Sequence, residues 1–464
     1  MSKGLSRGVA IDYAGGLEET LTPHAGVGVL LEVARRSNVL AAAEKHLPAK
    51  QSPRGLRQGE MVEAFVVLSA LGGECLDDFD TLRKDAGLAA LLGYTLPAAS
   101  TARQWLDRYH EEELVAQRPQ QGSFIPQESA WLAGLGSVVG HSILSYVAAL
   151  RPGPEVTFDV DAHLVESSKA MALRTYEGFR GFQPMVVSWA QQHDLVMADE
   201  FRDGNVPASV GIKRMVDAAR DRLPARAGGW RIAVRADSAA YEYVVLDHWA
   251  EQGWRFAVSA DMSAGLRQEV LALPATSWHF WRQERDGVVR EWAEVPYVPS
   301  RQTERKDIQP YRYLAIRVRQ PQGRLFGDGN EVKHFAIVTN DWQTDGQALL
   351  VWHRGKQGTI EQVHRVLKDE LGAGVYPSGK FGANAAWLRL QVLTFNLLEL
   401  LKATALDDSL RQARPKRLRF AIFNQVGRLV RHAGGLLLRV TESMLRGLVW
   451  PVRQRLRPLV WASA

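Results

Sequence analysis

Val156-Thr157-Phe158-Asp159-Val160-Asp161-Ala162-His163 alternates apolar and polar residues and carries two carboxylates near its end. Such a period-two run of β-branched and aromatic residues reads as a strand, and Asp159 and Asp161 share one face of it. Arg231-Ile232-Ala233-Val234-Arg235-Ala236-Asp237-Ser238 reads as a second strand, closing on Asp237. A charge beside so apolar a strand is costly unless it is paired or metal-bound. Pairing with Arg235, on the same face, is the plain alternative to a metal. Glu361 lies early in an amphipathic helix over residues 359–371, whose buried stripe is Val363, Val366 and Leu367. Lys368 follows it by about two turns, which returns it to within about 20° of the same face.

The neighbouring segments supply an order. Strands are expected at 156–163, 184–190 and 195–202, a helix over 204–223, and a strand at 231–237. A helix at Tyr241–Gln252, a strand at 254–260, a β-rich aromatic stretch at 263–338, the Glu361 helix and a longer helix at 383–403 complete it. Three strands, helix, strand, helix, strand and a late helix is the order of a ribonuclease-H-like mixed α/β sheet, with 263–338 as a β-rich insertion. Ahead of it, 27–47, 59–73 and 77–93 read as helices, followed by one capped by Ser100 or Thr101. Residues around Pro119–Pro126 read as a loop, and Arg151-Pro152-Gly153-Pro154-Glu155 punctuates entry into the sheet. The expected divisions are a helical DNA-binding or dimer region at 1–150, a catalytic domain in two parts (151–262 and 339–403) around the insertion, and a basic helical end at 404–464.

Two strand-end aspartates and a glutamate from a late helix can converge at one edge of such a sheet. Their hard oxygen atoms suit Mg²⁺, so metal-assisted cutting and joining of phosphodiester bonds is the leading expectation.

Composition fits. The chain has 464 residues, 46% hydrophobic and 23% charged, as in globular proteins with a substantial core. It contains no uninterrupted apolar run of about 18 residues, and the opening Met1–Gly16 lacks the apolar stretch of a signal peptide. The single cysteine, Cys75, excludes an internal disulfide framework and a cysteine zinc site, and suits a reducing cytoplasm. From Arg411 onward there are twelve Arg or Lys and one acid, Glu442, a balance of +11; the whole chain is +6, so the rest sums to −5. A basic end on an acidic body points to a polyanion, most simply double-stranded DNA. A solvated basic tail is the alternative.

These segments together resemble the DDE transposases of bacterial insertion sequences, most closely the insertion-sequence 1380 group. The resemblance spans nearly the whole chain. Asp159-Val160-Asp161-Ala162-His163 corresponds to the group's Asp-x-Asp-x-Thr strand, and Arg235-Ala236-Asp237-Ser238 to its Arg-x-Asp-Ser strand. Phe201-Arg202-Asp203-Gly204-Asn205 corresponds to its Leu-Arg-x-Gly-Asn signature, and Gly358-Thr359-Ile360-Glu361, continuing to Lys368, to its glutamate helix. Phe381-Gly382-Ala383-Asn384 and Leu393-Thr394-Phe395-Asn396-Leu397-Leu398 match its closing helices. His163 stands where the group has threonine, and Arg354 and Gln357 where it has tyrosine and arginine ahead of the glutamate.

The resemblance implies a Mg²⁺-dependent transposase, with Mn²⁺ able to substitute, acting as a homodimer on paired transposon ends. Asp161, Asp237 and Glu361 would hold the metal, with Asp159 an alternative to Asp161 or a support for it. Lys368, Arg354, Lys356 and Trp278 are the expected DNA contacts near the site, joined by Arg411, Arg414, Lys416 and Arg417 of the basic end. Trp278, Trp281 and Trp292 serve either to stack a base or as core of the insertion. Gly204 and Asn205 read as a turn, with Asn205 capping the next helix. Arg103 on a helix with one Arg is a weak groove reader. His163, His353 and His364 fit no recognised zinc spacing. A nuclease that cuts without joining, and a transposase-derived DNA-binding protein whose catalysis has lapsed, remain the rival readings.

Overall fold

A computed structural model describes residues 20–464 except 51–52, 225–228, 304–308, 322–323 and 433–434. Met1–Gly16, read above for a leader, lies outside the described residues. The centre is one mixed sheet of nine strands. In chain order these are β1 (Glu155–Ala162), β2 (Met185–Ala190), β3 (Leu195–Glu200), β4 (Arg231–Ala236), β5 (Arg255–Ala260), β6 (His279–Gln283), β7 (Val289–Val295), β8 (Arg312–Arg319) and β9 (Val332–Thr339). Across the sheet they run β6-β7-β8-β9-β5-β4-β1-β2-β3. The pairs β1–β4 and β4–β5 are parallel and the rest antiparallel. The half from β3 to β5 has the ribonuclease-H-like order expected from the sequence.

The insertion does not form a separate layer. Its last strand, β9, pairs antiparallel with β5, Ala336 opposite Ala260 and Thr339 opposite Ala257, so the insertion widens the sheet instead. Apolar residues of β7, β8 and β9 (Trp292, Leu314, Ile316, Val318, Ile337) make a second small core there.

Five helices matter most for the site: α1 (Ala130–Leu150), α2 (Ile212–Asp221), α3 (Tyr243–Glu251), α4 (Gly346–Glu370) and α5 (Phe381–Thr404). α5 is buried along nearly its whole length, as an all-round apolar helix must be, and packs against α1. α1 is also apolar and long enough to cross a membrane, but most of it is buried inside the molecule. The main hydrophobic core runs without a break from Val27 to Leu456, through the N-terminal helices and the sheet.

α4 begins at Gly346, capped by Asp345, so Glu361 stands well inside it rather than early in it. Gly355 lies within the helix where it passes closest to β4: a Cβ on it would lie 2.7 Å from Nη1 of Arg235. The first half of α4 buries Leu349 and Leu350 against the widened part of the sheet. The second half reaches the end of β1.

Other local differences have similarly local causes. Residues 27–47 form two helices because Asn38 adopts left-handed φ of 59° between them. Ser100 and Thr101 sit inside the first turn of a helix that starts at Ala99. Asn205 does not cap the next helix, whose N-cap is Gly211; its amide instead reaches Gly122 O, 3.0 Å away. The basic end is not wholly helical: Gly427–His432 and Gly435–Arg439 pair as antiparallel strands, and the first also pairs with Leu21–Thr22.

Candidate active site

β1 and β4 run side by side and in parallel, with Asp159 opposite Arg235. Both side chains are fully buried. Arg235 Nε lies 2.7 Å from Asp159 Oδ1, and Nη2 lies 2.8 Å from Oδ2. Arg235 Nη1 also donates to the carbonyl of Trp352 on α4 at 2.6 Å, and the Thr359 hydroxyl donates to Asp159 Oδ2. Asp159 therefore has its oxygens engaged, and it fastens α4 to the sheet. The sequence offered it as an alternative metal ligand or as a support for Asp161; here both of its oxygens are engaged by Arg235 and Thr359. Arg235 was also considered as a partner for Asp237, but its guanidinium is committed to Asp159.

Asp161, two residues on, points from the same face at the open end of the strand. Its Oδ1 is 3.7 Å from Lys356 Nζ and its Oδ2 is 3.7 Å from His364 Nε2, both on α4. Its carboxyl pKa is raised to about 6, chiefly by burial and also by the charges of Asp237 and Glu361, against the downward pull of Lys356. Asp237 follows β4 and is half-buried; its Oδ1 accepts from Ala239 N at 3.2 Å, capping a short turn. Glu361 is exposed. The fold thus brings the three expected carboxylates into one electrostatic neighbourhood. Among the described residues, no three His, Cys, Asp or Glu side chains stand close enough to hold a metal ion as placed.

Three neighbours were not singled out as site residues by the sequence. Tyr176 is largely exposed; slight burial and nearby Glu177 raise its hydroxyl pKa, as do the charges of Asp161 and Asp237. His163 and His364 pack together, ring centroids 4.2 Å apart. Burial and the Lys368 charge push the His163 imidazole down to about 4, and burial, His163 and Lys356 hold His364 well below its ordinary value. Alternation along β1 puts His163 on the face of Asp161, a signal present in the sequence; the position of His364 depends on how α4 crosses the sheet. His353 stands apart, with Nε2 3.1 Å from Ala236 O.

The expected DNA contacts divide. Lys356 is buried beside Asp161, while Lys368 is exposed. Arg354 lies over the ring of Trp281 at 5.5 Å, on the widened part of the sheet. Trp278 lies under Arg317, 4.2 Å from guanidinium to ring centre. Trp292 is core: a Cβ on Gly346 would come 2.3 Å from its ring. In the basic end, Arg414 pairs with Glu370 at 3.1 Å and Arg411 donates to Ala403 O at 2.9 Å. Lys416 and Arg417 stay exposed. Arg103 sits 4.0 Å from Asp77 on the surface.

The Phe201–Asn205 signature is structural. Arg202 is buried and donates to Gln183 O at 3.0 Å and Val210 O at 2.6 Å, and Asp203 pairs with Arg118 at 2.6 Å. Gly204 presses on Gly181, where a Cβ would lie 2.6 Å from the carbonyl oxygen. Asn396 likewise holds both backbone groups of Val196, at 2.9 Å each.

Residues 2–461 match the family model described as transposase DDE domain group 1. The chain belongs to this DDE transposase family. It is accordingly an enzyme of the DNA transposase class, whose members generally use divalent metal ions. No curated protein matches this transposase. Among solved structures, a cryo-EM structure of the piggyBac transposase synaptic complex with hairpin DNA is similar over 84% of this chain and 78% of that one, at 9% identity and a TM-score of 0.43.

Proposed function

We propose that this transposase cuts the ends of an insertion sequence and joins them to target DNA by metal-dependent phosphodiester chemistry at Asp161, Asp237 and Glu361. The observation that carries this is the buried position of Asp161 at the end of β1: burial raises its carboxyl pKa, and the charges of Asp237 and Glu361 add to that rise against the pull of Lys356. Like charges brought together at a half-buried strand end are unfavourable until a cation joins them. Their all-oxygen donor set suits Mg²⁺, with Mn²⁺ an acceptable substitute. When bound, the divalent ions would polarise the attacking water or 3′-hydroxyl and steady the leaving oxygen.

The protein's own groups do the positioning. Asp159, Arg235 and Thr359 lock the strand end to α4 and so fix Asp161 relative to Glu361. Lys356, beside Asp161, and Lys368, farther along α4, offer positive charge to a phosphate entering the site. Arg354 of α4 lies over Trp281 and Arg317 lies over Trp278 at the widened edge of the sheet, offering charge and ring surface to nucleic acid. Lys416 and Arg417 add contacts that do not depend on sequence. A homodimer on paired double-stranded ends is the active form in this reading. Placement with the insertion-sequence 1380 group, and with bacterial elements, rests on the motifs quoted above.

Incubation with a labelled duplex carrying the inverted repeats that flank the coding sequence tests the proposal. Mg²⁺-dependent nicking and transfer of the labelled 3′ end into a second duplex is the expected result. Cleavage without joined product would reduce the activity to that of a nuclease, and a band shift without cleavage to DNA binding.

A further inference from the structure

Phe420 holds its ring out in water, 75% exposed, on a segment that is otherwise anchored. Leu418, Ile422 and Phe423 on either side of it are buried. The backbone N–H of Lys416 donates to Glu370 Oε2 at 2.7 Å, and Arg414 pairs with Oε1 of the same carboxylate at 3.1 Å. Arg419 donates to Ser69 O, Ala70 O and Glu370 O. Residues 414–420 are therefore fixed to the last residue of α4, the helix that carries Glu361. Single exposed apolar side chains are ordinary, but this one stands among cations. Arg414, Lys416 and Arg417 are exposed beside it, and the guanidinium of Arg417 lies 5.7 Å from its ring centre. Glu370, the acid that holds the segment, is buried. Trp450 offers a contrast: it is also exposed, with Arg446 at 6.0 Å from its ring, but Arg446 is paired with Glu442. A fixed basic face with an apolar ring projecting from it suits duplex DNA, whose phosphates take the cations and whose base steps admit apolar wedges.

We propose that residues 414–420 form a duplex-binding face in which Lys416 and Arg417 hold phosphates and the Phe420 ring wedges between two base pairs. This deepens the functional reading above and rests on it in one respect, that the partner is duplex DNA. The wedge takes the ring out of water and partly unstacks one base step. Phosphate contacts alone would leave the ring in solvent. The segment is bound at Glu370, nine residues beyond Glu361 on α4, which is about 13.5 Å along the helix axis. The unstacked step therefore lies within about one turn of duplex, roughly ten base pairs, of the cleaved bond.

The probe is the inverted-repeat duplex with 2-aminopurine placed at successive steps, titrated with the full chain in the absence of divalent ions. Fluorescence should rise at one step within that turn, because unstacking relieves quenching. Phe420→Ala should abolish the rise and weaken binding at least about fivefold. Phe420→Trp should restore both, and Trp450→Ala should change neither. The dependence of affinity on salt should be the same in Phe420→Ala as in the wild type, because the lost contact carries no charge. Should a variant fail to fold, the scan of the wild type still decides. No step of raised fluorescence, or Phe420→Ala binding as tightly as the wild type, overturns the proposal. The two claims separate cleanly. If the wild type cuts DNA with Mg²⁺ while Phe420→Ala binds as tightly as it does, the face is wrong and the transposase reading stands. If the unstacked step is present and lost in Phe420→Ala while no divalent ion supports cutting, the face stands and the functional reading falls.

Discussion

Asp159 and Arg235 face each other across parallel strands and join through two hydrogen bonds, of 2.7 and 2.8 Å, with no solvent exposure on either side chain. A buried pair of this kind adds little net stability over apolar residues, but losing one partner strands a charge, at a cost of about 3–5 kcal/mol. Arg235→Met should therefore destabilise the protein by that order in urea unfolding. The double variant with Asp159→Leu should recover most of the loss. A single-variant loss below about 1 kcal/mol would mean that Asp159 finds water or another partner.

The two glycines of α4 make a sharper test. Gly355 has Arg235 against it, whereas a Cβ on Gly358 meets nothing within 4 Å. Gly355→Ala should destabilise by about 1–3 kcal/mol through overpacking. Gly358→Ala should stabilise by about 0.5–1 kcal/mol, because alanine favours a helix interior. Thermal unfolding of the two variants reads the difference. Equal effects would mean that α4 does not lie on Arg235.

Asp161 gives a pH dependence. Its folded pKa of about 6 lies above the ordinary 3.8, so its ionised form opposes folding. That penalty is absent below the unfolded value, grows between the two values and is full above about 6. With metal chelated, Asp161→Asn should exceed the wild type in stability by on the order of 1–3 kcal/mol at about pH 8. The gap should close as pH falls from about 6 toward 4. Denaturation midpoints across that range check it; a pH-independent gap would place the burial of Asp161 in error.

How much of this was legible in the sequence follows from the range of each interaction. Period-two runs ending in Asp161 and Asp237 located β1 and β4, and the apolar stripe at Val363, Val366 and Leu367 located the second half of α4, because those signals are local. The first half of α4 was not legible. Gly355 reads as a helix breaker until Arg235, more than a hundred residues earlier in the chain, is seen lying against it. The strand pattern alone did not separate Asp159 from Asp161 for the same reason, since it cannot show that β4 brings Arg235 to Asp159 and not to Asp161. The pairing of β9 with β5 depends on register between distant strands, so the insertion read as a separate unit. The hairpin of the basic end was hidden because its outer partner is Leu21–Thr22, at the far end of the chain.

The basic end should divide by function. Arg419 donates to Ser69 O and Ala70 O and reaches Glu370 O, tying helix ends together. Arg419→Gln should therefore lower the unfolding midpoint. Lys416→Gln with Arg417→Gln should leave stability unchanged and flatten the dependence of duplex affinity on salt by about 0.9 per lost phosphate contact. Discrimination between end DNA and other DNA should change little, since phosphate contacts position and base contacts specify. An unchanged salt slope would assign these two residues to a solvated surface.

The central claim is that Asp161, Asp237 and Glu361 together perform the chemistry, and Asp237→Asn addresses it most directly. The change keeps the shape of the side chain and removes its charge. The measurement is single-turnover cleavage of labelled end DNA in Mg²⁺ and in Mn²⁺, beside the affinity of the same protein for that DNA. Cleavage lost by at least about a hundredfold, with DNA affinity unchanged, is the predicted result. Cleavage at the wild-type rate would contradict it.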